Sequence, residues 1–141
     1  MIRTGSAVWR GDLKSGKGTV STESGTLKNT QYSFGTRFEN GTGTNPEELI
    51  AAAHAACFSM ALSAQLGGAN LAPETVGTSA GLTLEKLDSG WTITKIHLTV
   101  TAKIPGADKA AFDKAAQAAK EGCPVSKVLK AAAITLDAKL V

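Results

Sequence analysis

The sequence predicts an α+β fold, and three observations carry that expectation. Short alternating segments separated by glycine turns fill the first forty residues; one long apolar segment with helix-start signals follows; further alternating strands then enclose two alanine-rich helical stretches, giving the order βββαββααβ. Strands in hairpins with helices set apart from them leave the long apolar helix to be covered by sheet. The 141 residues, 43% hydrophobic and 19% charged, suit one folded domain over 1–141 that needs no staples, so the two cysteines call for another explanation.

The first three strands read as "SAVWR", "GKGTVST" and "QYSFGTRFE", with turns at "KSGKG" and "ESGTLKNT". Period two in the third puts Tyr32, Phe34, Thr36 and Phe38 on one face, and Ser33, Gly35, Arg37 and Glu39 on the other. Arg37 is thereby expected to point away from the aromatic face. The loop "NGTGTNPEE" opens a helix: Asn45 is its N-cap, Pro46 its first residue, and Glu47 and Glu48 complement the dipole of its first turn. From Leu49 to about Leu66 apolar residues cover almost every face, which predicts a helix buried in the centre of the structure.

Two strands follow, "TVGTSAGLTLEKL" and "GWTITKIHLTVTAKIPG". In the second, apolar positions run odd at Trp91 and Ile93 but even from Ile96 onward, a phase slip that predicts a bulge near Thr94 and Lys95. Asp108 caps a helix that ends at Gly122, Cys123 takes the N-cap junction before a short helix that begins at Pro124, and "AITLDAKLV" supplies the last strand.

Several function classes are disfavoured at once. Fifteen basic side chains against twelve acidic ones give a net charge of +3, spread without a run, where nucleic acid would favour a clustered basic face. The N-terminus lacks the apolar segment and cleavage site of a secretory signal, and His54 with polar neighbours interrupts the longest apolar stretch; a cytoplasmic chain with no membrane span is expected.

The chemistry centres on "HAACFSMAL", where Cys57 sits mid-helix among alanines. A buried helical cysteine is commonly an inert small hydrophobe, and a helix midpoint has no free N–H to stabilise a thiolate. Reactivity at Cys57 therefore asks for a cation from elsewhere, and arginine keeps its charge in a dry site. Of Arg3, Arg10 and Arg37, only Arg37 lies within an element next to the loop that leads to the cysteine helix. Glu48 reads either as the capping-box residue reaching back to Asn45 or as a carboxylate orienting an arginine. Glu48 and Cys57, nine residues apart, lie about 180° around and about 13 Å along a straight helix, so a shared site needs the reach of Arg37 or a second subunit. Cys123, at a helix N-terminus, has a lowered thiol pKa and better exposure in prospect. His54, Cys57, His97 and Cys123 match no compact zinc spacing. His54, three residues before Cys57, also allows a Cys–His pair for acyl transfer, although no third group is nominated to orient the imidazole.

The segments "WRGDLKSGKGTVSTESG", "TRFENGTGTNPEELIAAAHAACFSMAL" and "EGCPVSKVLKA" resemble, in order and over nearly the whole chain, the OsmC branch of the OsmC/Ohr family of thiol-dependent hydroperoxide reductases. The resemblance implies two three-stranded antiparallel sheets around buried central helices in an intertwined homodimer. It implies that Cys57 is the peroxidatic thiol and Cys123 the resolving one, with Arg37 and Glu48 activating the site. It further implies an organic hydroperoxide as substrate, a dithiol reductant that points to a lipoyl-bearing protein, and no metal or other cofactor. An apolar pocket with Phe38, Phe58 and Met60 as candidate lining would favour organic peroxides over hydrogen peroxide. The competing readings are a non-catalytic thiol redox sensor or binding module, a Cys–His hydrolase, and two purely structural thiols.

Overall fold

The structure, a computed structural model, describes residues 1–141 and divides into two compact units, Met1–Leu49 and Ile50–Val141. The first unit is built on an antiparallel sheet of β1 (Gly5–Arg10), β2 (Lys17–Thr22) and β3 (Thr30–Ser33), in that order. Trp9, Gly18 and Tyr32 fall in one cross-strand row. A Cβ at Gly18 would run into both rings, so the glycine lets Trp9 and Tyr32 meet above β2 with centroids 5.4 Å apart.

The third strand is shorter than its alternation predicts. Instead of continuing to Glu39, the chain turns at Ser33 into a single helical turn, α1 (Phe34–Phe38). The cause is a capping box: the Ser33 hydroxyl accepts from the Thr36 N–H at 3.3 Å, and the Thr36 hydroxyl accepts from the Ser33 N–H at 2.8 Å. Phe34 and Phe38, four apart, then pack on one helical face with their rings tilted and centroids 5.0 Å apart. The following loop folds tightly against this turn. Gly43 has φ of 145°, and a Cβ there would lie 2.8 Å from the Gln31 carbonyl oxygen. Thr44 N–H closes the loop by donating to that same carbonyl at 2.9 Å.

Helix α2 (Pro46–Gly68) begins in the first unit and continues through the second. The Asn45 side chain caps it, accepting from the Glu48 N–H at 2.8 Å. By length and composition alone α2 could cross a membrane. Within the chain it buries one stripe, His54, Phe58, Leu62 and Leu66, at the four-residue spacing of a single helical face. Its other faces stay open, with Met60 77% exposed, so α2 is not buried on all sides as its composition suggests.

In the second unit β4 (Thr75–Leu87) and β5 (Gly90–Lys103) form a long hairpin. Thr83 pairs with Lys95 and Leu84 with Ile93, leaving Thr94 unpaired at the expected bulge. Beyond it Ile96, Leu98, Val100 and Ala102 alternate onto the buried face. Helices α3 (Lys109–Gly122) and α4 (Pro124–Val128) carry the chain across, and β6 (Ala133–Leu140) joins β5 in parallel. The second sheet is therefore mixed, where hairpin signals lead one to expect antiparallel pairing throughout; a helical crossover returns the strand in the same direction. The core of this unit packs Phe58, Leu62 and Leu66 of α2 with the β5 face and Phe112, Ala115, Ala116 and Ala119 of α3. No residue of the first sheet belongs to this buried apolar core.

Candidate active site

Cys57 and Cys123 meet, as the sequence could only suggest. Cys57 stands mid-way along α2 and Cys123 links α3 to α4, held by its N–H donating to the Ala119 carbonyl and by Pro124 opening the next helix. Their sulfurs, both free thiols, are hydrogen-bonded at 2.7 Å. That is far closer than two non-bonded sulfurs sit, and a small closure from the roughly 2.05 Å of a disulfide. Cys57 is partly exposed and Cys123 fully buried.

The two thiols are electrostatically unequal. Burial pushes Cys57 up from its ordinary value and the hydrogen bond with Cys123 pushes it further, while the Val125 N–H pulls weakly the other way. For Cys123 burial also opposes charge, but its hydrogen bond with Cys57, the N–H and hydroxyl of Ser126 and the Val125 N–H outweigh it, so its pKa falls. These donors lie at the start of α4 without closing a full cap bond to the sulfur. Of the two sulfurs, Cys123 is the one whose surroundings favour the thiolate. Cys57 needs an added cation to react as a thiolate.

In the first unit Arg37 lies at the end of α1, not on a strand, and its guanidinium rests over the Phe38 ring at 5.2 Å rather than away from the aromatics. Its carboxylate partner is Glu47, not Glu48: Arg37 Nη2 donates to Glu47 Oε1 at 2.7 Å, and Nε donates to the same carboxylate at 3.0 Å. This is the bidentate fork that holds a guanidinium in one orientation. The exposed Glu48 takes the capping position through its backbone, which leaves Glu47 free for the arginine. Asn45 secures the arrangement by donating from its amide to the Thr36 carbonyl at 3.1 Å, tying the start of α2 to α1. Beside Arg37 a cavity of about 270 Å³ is lined by Trp9, Leu13, Tyr32, Phe34 and Phe38. Phe38 thus lines a cavity as expected, whereas Phe58 is core and Met60 is exposed.

His54 is fully buried on α2, with Nε2 2.7 Å from the Ser126 hydroxyl and Nδ1 without a hydrogen-bond partner. No carboxylate orients it, so it lacks the third member of a hydrolytic triad. His97 lies apart on the second sheet, its Nδ1 bonded to Thr135 Oγ1 and its Nε2 3.2 Å from Asp137, and no cluster of His, Cys, Asp and Glu has metal-site geometry. Burial lowers the His54 pKa, so the folded chain favours neutral imidazole. That contribution is complete above the unfolded value of about 6.5 and is lost as pH falls below it, because only the unfolded chain then takes up the proton. Urea midpoints should accordingly drop more steeply between about pH 7 and pH 5 in the wild type than in His54→Gln; parallel curves would show that His54 titrates freely in the fold.

Residues 39–139 match the family of OsmC-like proteins. The chain is 58% identical over 138 residues to the protein named peroxiredoxin OsmC of Escherichia coli, covering 98% of this chain and 96% of that one. The chain belongs to the OsmC-like family. A second relative of this OsmC-like chain is the organic hydroperoxide resistance protein OhrB of Bacillus subtilis, 33% identical over 72% of the chain and 71% of the relative. The crystal structure of OhrB superposes with a TM-score of 0.68 over 98% of each chain, at 26% identity. An organic hydroperoxide resistance protein OsmC from Legionella pneumophila gives 0.72 over 96% of each, at 25% identity. Two residues of this OsmC-like chain escape sequence reasoning, the partner of Arg37 and the partner of His54. Glu47 is masked by its neighbour, since two first-turn glutamates look alike until the position of Arg37 is known. Ser126 had a usable signal in "CPVS", which puts a hydroxyl at the third residue of a helix capped by cysteine.

Proposed function

We propose that this chain is a thiol-dependent peroxidase that reduces organic hydroperoxides to alcohols. The observation that carries the reading is the pair of free sulfurs 2.7 Å apart, one partly exposed and one buried at a helix start. The Cys57 thiolate attacks the terminal peroxide oxygen, the O–O bond breaks, and the alkoxide leaves with a proton as alcohol; Cys57 becomes a sulfenic acid. Cys123 attacks the Cys57 sulfur, hydroxide leaves and is protonated to water, and the disulfide forms. A dithiol, in the cell one carried on a lipoyl-bearing protein, reduces it by exchange. No metal or other cofactor enters the cycle.

Arg37, fixed by Glu47, is the cation that the Cys57 thiolate requires, and it polarises the peroxide. The aromatic cavity beside Arg37 favours an alkyl or aryl group, which gains from leaving water as hydrogen peroxide does not. The working form is a homodimer of one-domain subunits in the cytoplasm. Its support is the open outer face of α2 and a first sheet with no buried apolar face of its own, both of which ask for a second copy. Sedimentation at the monomer mass would overturn the dimer.

The test is turnover with dithiothreitol as reductant. Cumene hydroperoxide should be consumed well above the uncatalysed background and faster than hydrogen peroxide. Disulfide formation at stoichiometric oxidant without turnover would instead identify a redox sensor.

A further inference from the structure

Two buried polar groups that the peroxidase cycle leaves unused stand on the elements that carry the thiols: His54 on α2, three residues before Cys57, and Ser126 in α4, the helix that Cys123 opens. His54 Nε2 lies 2.7 Å from Ser126 Oγ; Ser126 is the third residue of the helix whose cap is Cys123; and the Cys123 sulfur is 2.7 Å from that of Cys57. Both His54 and Ser126 are buried, so the contact is not a solvent-exchangeable surface bond. Resting on the peroxidase reading, we propose that His54 and Ser126 are positioning residues for the resolving step: His54 Nε2–H donates to Ser126 Oγ and so aims the Ser126 hydroxyl at the Cys123 sulfur.

The direction follows from the donors available. Ser126 has one hydroxyl proton; spent on the Cys123 thiolate, it leaves the oxygen lone pairs to accept from an N–H, which assigns the imidazole proton to Nε2. Nδ1 then carries a bare lone pair, in keeping with its burial without a partner. Burial holds the ring neutral, so it can serve as a fixed dipole without bringing a second charge beside the sulfurs. Cys123 attacks as a thiolate, and the Cys57 sulfur loses its leaving group as the new S–S bond forms. Stabilising the thiolate raises its population tenfold for each pKa unit but lowers its intrinsic nucleophilicity only about threefold, so each unit gives about threefold in rate. A hydrogen bond to a charged sulfur corresponds to one or two such units, hence about 3–10-fold.

The experiment separates the two chemical steps in the reduced full-length protein. Sulfenic acid formation at Cys57 and disulfide closure are timed after one equivalent of cumene hydroperoxide in wild type, Ser126→Ala, Ser126→Thr, His54→Leu and His54→Gln. In a second arm, free of peroxide, Ellman's reagent reacts at Cys57, and release of the second thionitrobenzoate times the attack of Cys123 on the mixed disulfide. Ser126→Ala and His54→Leu should slow closure about 3–10-fold in both arms with little change in sulfenic acid formation. Ser126→Thr keeps the hydroxyl and His54→Gln an N–H near the Nε2 position, and both should close near the wild-type rate. Closure at the wild-type rate in Ser126→Ala, or equal slowing by all four substitutions, overturns the proposal. If wild type forms no sulfenic acid, the peroxidase reading fails while the Ellman arm still decides the role of the pair.

Discussion

Cys57→Ser should abolish hydroperoxide turnover to the dithiothreitol background, whereas Cys123→Ser should still reduce one equivalent of peroxide in a single burst. The two sulfurs are near neighbours, so the difference arises from access and leaving chemistry. Cys57 is the partly exposed thiol and Cys123 is fully buried, so in the proposed cycle Cys57 meets the substrate and Cys123 meets only what Cys57 has become. Without Cys123 the sulfenic acid has no thiol at hand and climbs the oxidation ladder to sulfinic acid under excess peroxide. Intact mass after stoichiometric and excess cumene hydroperoxide reads this directly: one added oxygen, then two, in Cys123→Ser; loss of two hydrogens in the wild type. A burst in Cys57→Ser, or full turnover surviving there, would place the oxidising chemistry on the buried thiol and reverse the roles.

Much of this site was legible in the sequence because helix-end chemistry is local. Asn45 and Asp108 each fix a helix start by accepting from an N–H three residues on, Pro124 after Cys123 fixes a third by its backbone, and each boundary stands where those residues put it. The bulge at Thr94 was legible for the same reason: alternation changes phase within one strand. What was not legible depends on neighbours distant in sequence, or on competition between two local signals. At Ser33 an alternating strand pattern and a capping box overlap, and the box wins, because it satisfies two backbone-adjacent donors at once while the strand at that point has no further partner to pair with. The parallel placement of β6 depends on how two helices cross the sheet, which no periodicity within β6 records. The apolar composition of α2 does not record which of its faces is covered, and the chain covers only the stripe from His54 to Leu66.

The same distinction gives the second large effect. Arg37→Met should lower kcat/KM for cumene hydroperoxide about 10²–10³-fold, the usual cost of removing one preorganised electrostatic group from a reacting centre. Glu47→Gln should cost about 10²-fold, since a guanidinium freed from its fork is misplaced rather than lost. Glu48→Gln, altering an exposed side chain whose backbone N–H alone meets the Asn45 cap, should stay close to wild type. Substitution of either glutamate removes one negative charge from the same helical turn, so a general electrostatic effect would make the two variants alike; only the fork predicts that they differ. The pH profile adds a signature. Burial and the neighbouring sulfur hold the Cys57 pKa up, so in Arg37→Met the thiolate forms only as pH rises, and the variant should recover part of its loss between about pH 7 and pH 9 while the wild type changes less. A deficit that stays constant across that range would mean that Arg37 acts on the peroxide and not on the thiol, and equal losses in Glu47→Gln and Glu48→Gln would return the orienting role to both carboxylates.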